Sequence, residues 1–230
     1  MKNCEYKEFV DKYFPFSKYH HLYSDVYSII CKNNILTDIY LKYSDIKDTH
    51  ECILFLQRYK WGLNKILLYL PINDGIGING CMRYSIEQLL KFLYSICFKH
   101  SIDKINKTSY RHIKDDLKTR NSSIRVRNEN LECLYTYYAK YSNDVHDKNA
   151  NNQEIGFLET IIKNESRFIK HVHADLINLT KQFDAIMIYL FNITANNLSL
   201  AETHQLQRIL RAKQYNTLIS LMENNNKIMH

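Results

Sequence analysis

Glycine and proline are scarce in this chain, with 5 and 2 residues among 230. The tight turns of a many-stranded fold draw heavily on these two residue types, so their scarcity argues against an all-β sandwich or barrel. It also excludes collagen-like and linker-like chains. A hydrophobic content of 45% beside 24% charged residues gives enough apolar surface to offset chain entropy, which sets the sequence apart from disordered ones. There is no run of about 18 apolar residues to cross a membrane. The N-terminal MKNCEYKEFVDKYF is charged throughout and lacks the apolar stretch of a secretory signal, so a cytoplasmic protein is expected. Cysteine pattern is missing as well: Cys4, Cys31, Cys52, Cys81, Cys97 and Cys133 include no CxxC pair. They read as reduced residues on apolar faces rather than as disulfides or a zinc site.

Apolar residues at helical spacing are present almost everywhere, beside 18 Tyr, 10 Phe and one Trp, and they predict an all-α fold. The expected architecture is an up-and-down helical bundle with a long C-terminal core helix and short terminal helices. Periodicity from Tyr19 to Tyr43 predicts one or two helices with a break at Asn33-Asn34. A second helix is expected from about Asp48 to Leu70, where Pro71 stops it. PINDGIGING, Pro71 to Gly80, holds three of the five glycines and reads as a loop before a core helix over Cys81 to His100. Further helices are expected over Lys107–Thr119, Asn128–Val145, Gln153–Ile193, Ser199–Lys213 and Tyr215–Met222. A bundle domain over 1–195, with its core at about 50–195, followed by a helical extension over 196–230, is the expected organisation.

Three places have residues suited to chemistry. Gly75-Ile-Gly77-Ile-Asn-Gly80 satisfies GxGxxG, a pattern that cradles phosphates when a strand precedes it and a helix follows. Here the preceding segment is helical and no βαβ unit follows, so a turn between helices is the competing reading. Arg83 and Glu87 are four residues apart on an otherwise apolar helix, so they share a face, either as an ordinary ion pair or as buried charges with further polar partners. Ser142, Asn143 and His146 end a helix that also places Tyr138 on the face of Ser142 and His146. A histidine there can relay a proton at neutral pH, or simply sit satisfied at a helix C-terminus. His171, His173 and Asp175, like the His20-His21 pair, lack the spacing of a metal site, and neither metal nor cofactor is expected.

Taken together, Arg83-x-x-x-Glu87 followed by Lys91-Phe-Leu-Tyr94, then Tyr138-Ala-Lys-Tyr-Ser142-Asn-Asp-Val145-His146 opening into a polar loop, resembles the HEPN superfamily over about residues 50–195. That resemblance implies a small helical bundle, often dimeric, of the kind found in bacterial toxins, abortive-infection proteins and several RNases. Catalytic members carry Arg, four to six residues, then His. His146 matches the histidine, while the window Ala139 to Tyr141 holds Lys140 and no arginine. Lysine lacks the planar fork that grips phosphate bidentately, and Arg83 from the neighbouring helix is the candidate substitute.

The window Ser101 to Asn130 adds charge, with Lys104, Lys107, Arg111, Lys114, Lys118, Arg120, Arg125 and Arg127 against four acidic residues, +4 of the net +7. With Tyr110 and His112 it suits RNA phosphates and stacked bases, Tyr138 being a further RNA-binding candidate, and it also fits a plain solvated helix face. The expectation is thus a HEPN-like protein of a bacterial defence or toxin-type system that cleaves RNA without a metal. His146 would be general acid/base, Arg83 or Lys140 would hold phosphate charge, and Ser142, Asn143 and Glu87 would position them. A homodimer and a neutralising or defence-system partner protein accompany this reading. The alternative is a non-catalytic HEPN-like module that binds RNA or protein, and a nucleotide-binding regulator built on Gly75 to Gly80 is a third.

Overall fold

The computed structural model describes residues 2–17, 20–44, 50–119, 122–124, 127–145 and 166–228. These are helical throughout, with no strand among the described residues, so the fold class is all-α. In chain order the helices are α1 Lys2–Tyr13, α2 His21–Lys42, α3 His50–Tyr69, α4 Gly75–Phe98, α5 Ile102–Lys107, α6 Tyr110–Leu117, α7 Asn128–Val145, α8 Ser166–Leu190, α9 Leu200–Ile209 and α10 Ala212–Ile228. Packing runs from α2 to α3, α3 to α4, α4 to α7, α7 to α8 and from α8 back to α2, which closes a ring of five helices. The interior of this ring holds Tyr40, Phe55, Tyr59, Leu63, Ile66, Phe92 and Phe183, all fully buried.

The hairpin α3–α4 is the tightest contact in the ring. A Cβ on Gly62 would stand 2.3 Å from Ser85 Oγ and 3.0 Å from Tyr84 Cδ1, and one on Gly77 would stand 2.6 Å from Tyr69 Cδ1. Pairing Gly62 with Ser85 and Gly77 with Tyr69 fixes the two helices as antiparallel neighbours. The turn between them is short. Asp74 caps α4, its Oδ1 accepting from Gly77 N at 2.9 Å, which satisfies one of the amides left open at a helix start. Hence Pro71 to Gly80 is not a loop: α4 begins at Gly75, and Gly75, Gly77 and Gly80 belong to its first turns. No described glycine has a positive φ; the left-handed positions are taken by Asn73, Lys99 and Asn192.

Pro71 does stop α3, and its missing N–H leaves the carbonyl of Leu67 without the usual partner four residues on. Tyr6 of α1 fills the gap, its hydroxyl donating to Leu67 O at 2.6 Å, and Tyr23 of α2 donates to Leu70 O at 3.0 Å. Two tyrosines therefore tie the first two helices to the end of the third. Of the one or two helices expected over Tyr19 to Tyr43, the structure has one: α2 runs unbroken through Asn33-Asn34, because Asn33 is buried with its Oδ1 accepting from Tyr59 and Asn34 donates to Asn64. The helix expected over Lys107–Thr119 is α6, and a further short helix that the sequence reading lacked, α5, precedes it; each is opened by a serine N-cap, Ser101 and Ser109. Position 153, the expected start of the long helix, lies outside the described residues, and α8 is its described part.

A polar network crosses the core beside this frame. Asp184 of α8 is 5% exposed; its Oδ1 accepts from the Tyr40 hydroxyl at 2.9 Å and its Oδ2 lies 3.8 Å from Lys32 Nζ. Burial pushes this carboxyl up to about 6, against the opposing pull of Lys32 and of the Tyr40 hydrogen bond. The C-terminal helices join through another carboxylate. Glu202 of α9 accepts from Ser199 N and Oγ in a capping box, from Lys42 at 2.7 Å and from the Tyr43 hydroxyl. Burial alone would raise its pKa, but these donors win and hold it down at about 2. Leu206, Leu218 and Met222 of α9 and α10 are buried in the same apolar core as the ring.

Two stability tests follow. Gly62→Ala should destabilise by ~1–3 kcal/mol through overpacking, and adding Ser85→Ala should recover most of the loss. Gly80→Ala, which meets nothing within 4 Å, should instead stabilise by up to ~1 kcal/mol from helix propensity; chemical denaturation reads both. For Asp184, the folded state holds its proton more tightly than the unfolded chain. Its contribution is therefore present below about pH 4 and lost as pH rises through about 6. The stability of Asp184→Asn relative to wild type should consequently rise between pH 4 and 7, by up to ~3 kcal/mol, as read by denaturant titration at each pH.

Candidate functional site

Helices α4 and α7 lie side by side, with α6 packed against α4, and two of the residues singled out in the sequence, Arg83 and Tyr138, meet at this seam. Arg83, in the third turn of α4, is half-buried and reaches across to α7, where its guanidinium carbon stands 5.7 Å from the Tyr138 ring centre. Tyr138 in turn stacks on Tyr110 of α6, ring centres 3.7 Å apart at 14°. Tyr135, one turn earlier on α7, meets Tyr110 edge-on at 6.3 Å, and Lys114 and Lys118 of α6 each place an ammonium 5.3 Å from the Tyr135 ring. Cations over aromatic faces and offset rings add directional attraction to simple burial. The result is a ladder of Arg83, Tyr138, Tyr110 and Tyr135 that joins three helices.

Among the described residues the ion partner of Glu87 is Lys91, one turn on at 2.8 Å, and not Arg83. Tyr138 is 8% exposed and stacked against Tyr110, so its expected role as a platform for an RNA base is corrected; it is a wall of the seam. Lys140 points away from the seam toward α8, where it pairs with Asp175, whose Oδ2 also accepts from the Tyr141 hydroxyl at 2.5 Å. Its helix position opposes a phosphate-holding role alongside Arg83. Asn143 is exposed and Ser142 half-buried, and Ser142 Oγ is a buried atom with no hydrogen-bond partner among the described residues. His146, the proposed acid/base, lies outside the described residues.

The basic residues divide by environment. Lys104 and Lys107 on α5 and Arg111 on α6 are exposed. Lys114 and Lys118 cover Tyr135, and Lys118 also pairs with Glu132 at 2.5 Å. Arg127 lies over the Tyr189 ring at 4.9 Å, while Arg120 and Arg125 fall outside the described residues. Beneath them Tyr94 of α4 donates to Asp116 at 2.9 Å, and burial, then Asp116, pushes its phenol up to about 12. Burial likewise raises Tyr110 and Tyr135, with neighbouring groups adding to it, so these phenols stay neutral; Tyr135 Oη is a buried atom with no hydrogen-bond partner among the described residues.

No protein-family model, curated protein or solved structure matches the chain. Among the described residues no group of three His, Cys, Asp or Glu side chains could hold a metal ion; His171 is exposed and Asp175 is engaged by Lys140 and Tyr141. His20 is a helix cap, its Nδ1 accepting from Leu22 N at 3.2 Å. Its pKa is lowered by burial, then by the charges of His21 and Lys170. Cys81, Cys97 and Cys133 are free thiols. No described helix is long and apolar enough to cross a membrane.

Sequence reasoning missed the Tyr110–Tyr138 stack, because the partners come from different helices and only their tyrosine identity is visible in one dimension. It also missed Asp184, although a lone acid inside the apolar run Phe183-Asp184-Ala185-Ile186-Met187 is a signal: a buried charge needs partners.

Proposed function

We propose that the protein is a HEPN-like helical protein that binds RNA along the α5–α6 face and cleaves it at the α4–α7 seam without a metal, in a bacterial defence or toxin-type setting. The observation that carries this reading is the crossing of Arg83 from α4 to the Tyr138 ring of α7. It brings a guanidinium to the helix whose end carries Ser142 and, four residues on, His146 in the sequence. A planar guanidinium can hold two phosphate oxygens at once, which the amine of Lys140 cannot. In this scheme His146 takes the proton of the attacking 2′-hydroxyl and returns one to the leaving oxygen. Arg83 stabilises the charge that builds on the phosphate. Ser142 is a hydrogen-bond partner for the substrate, Lys104, Lys107 and Arg111 supply the approach surface, and a homodimer completes the site.

One observation favours a second reading, that of an RNA-binding module without catalysis. Lys140, the residue at the family's arginine position, is committed to Asp175, so the motif's own cation is turned away from the seam. The two readings separate in one assay. Purified protein incubated with total RNA in EDTA should cleave it, and His146→Ala should abolish cleavage. Arg83→Ala should reduce it on the order of 10²–10³-fold, the usual cost of removing one charge-stabilising donor. Intact RNA that is nonetheless retarded in a gel supports the binding module; intact and unretarded RNA contradicts both.

A further inference from the structure

Helices α2, α8 and α10 line a half-open cavity of about 250 Å³. Its walls are apolar: Ile29 of α2, Ile177 of α8, and Leu218 and Leu221 of α10. Apolar lining with a few placed polar groups is the usual composition of a small-molecule site, and this volume falls just below the ~300 Å³ at which drug-sized sites begin. Three lysines converge on it, Lys32, Lys181 and Lys213, against a single acid, Asp184.

The charges in the cavity are unequal in their commitments. Asp184 takes the Tyr40 hydroxyl at 2.9 Å and faces Lys32 at 3.8 Å, a distance too long for a hydrogen bond. Lys32 is held largely inside, its side chain 18% exposed, so its ammonium offsets the one carboxylate. Lys181 and Lys213 at the mouth are exposed and form no ion pair among the described residues. An apolar chamber with two uncompensated ammonium groups at its entrance is complementary to a molecule that is apolar at one end and anionic at the other. Burying a ligand's apolar body contributes roughly 25 cal/mol per Å², and the anion stays at the wet rim where its solvation is kept.

We propose that this cavity binds a small amphipathic anion, a short alkyl chain or single ring carrying one carboxylate, sulfonate or phosphate, with its body against Ile29, Ile177, Leu218 and Leu221 and its head between Lys181 and Lys213. This site is separate from the RNA reading and stands or falls without it. A cationic ligand seeking Asp184 would have to pass both lysines and displace Lys32.

Calorimetric titration of the full chain with octanoate, octanol and octylamine at equal concentrations tests it. Octanoate should bind, octanol about tenfold more weakly, and octylamine not measurably. Lys181→Glu and Lys213→Glu, both at exposed positions, should each weaken octanoate about tenfold while leaving octanol unchanged. Thr217→Trp, which fills the cavity from its exposed rim, should remove binding of both, with circular dichroism confirming an unchanged helical melt. Octylamine binding as well as octanoate, octanoate binding that ignores the two charge reversals, or no heat with octanoate at 10 mM on the order of the weakest specific affinities would each overturn the proposal.

Discussion

Gly62 has no side chain at the point where α3 crosses α4, and the backbones of the two helices approach there until Ser85 Oγ occupies the place a Cβ would take. Most of the remaining architecture depends on that approach. It draws α4 into the interior, where twelve of its residues from Ile78 to Ser95 are buried, and it leaves the far face of α4 free to receive α6 and α7. Because cores are packed to crystal-like density, a shift of α4 by the width of one methyl group would be felt at every contact on its other side. The Arg83–Tyr138 crossing is one of those contacts.

Tyrosine supplies the second layer of the account. A phenol can bury a ring and still spend its hydroxyl on a polar group, and here the hydroxyls go to acceptors that the helices leave open. Tyr6 and Tyr23 take carbonyls at the end of α3, Tyr40 and Tyr141 take the carboxylates of α8, and Tyr94 takes Asp116. Each bond links elements distant in sequence. At Tyr110 and Tyr138 the rings stack on one another. The abundance of tyrosine thus replaces the turn-forming residues the chain lacks as a means of fixing one helix against another.

The helical periods were legible in the sequence because burial repeats every three to four residues, and α3, α4 and α7 appear close to where their apolar stripes place them. The errors have a common cause. Asn33-Asn34 and Gly75 to Gly80 look like breaks by local propensity, yet Asn33 meets Tyr59 and Gly77 meets Tyr69, contacts that span the tertiary structure and override propensity. Of the two readings of Arg83, the ion pair with Glu87 gives way for a similar reason: Lys91 is equally well spaced for that acid, and the approach of α7 brings the Tyr138 ring to the arginine. The seam's residues were therefore identifiable one by one, while their partners were not.

We propose Arg83, held at the α4–α7 seam, as the cation that meets RNA. Hydrogen–deuterium exchange of the full chain with and without a short single-stranded RNA measures this directly, because amide protection reports which helices the ligand covers. Added protection should concentrate in α5, α6 and the C-terminal half of α7, and should disappear for α7 in Arg83→Ala while persisting on α5 and α6. Protection confined to the α2, α8 and α10 side, or a pattern at α7 that Arg83→Ala leaves unchanged, would contradict it.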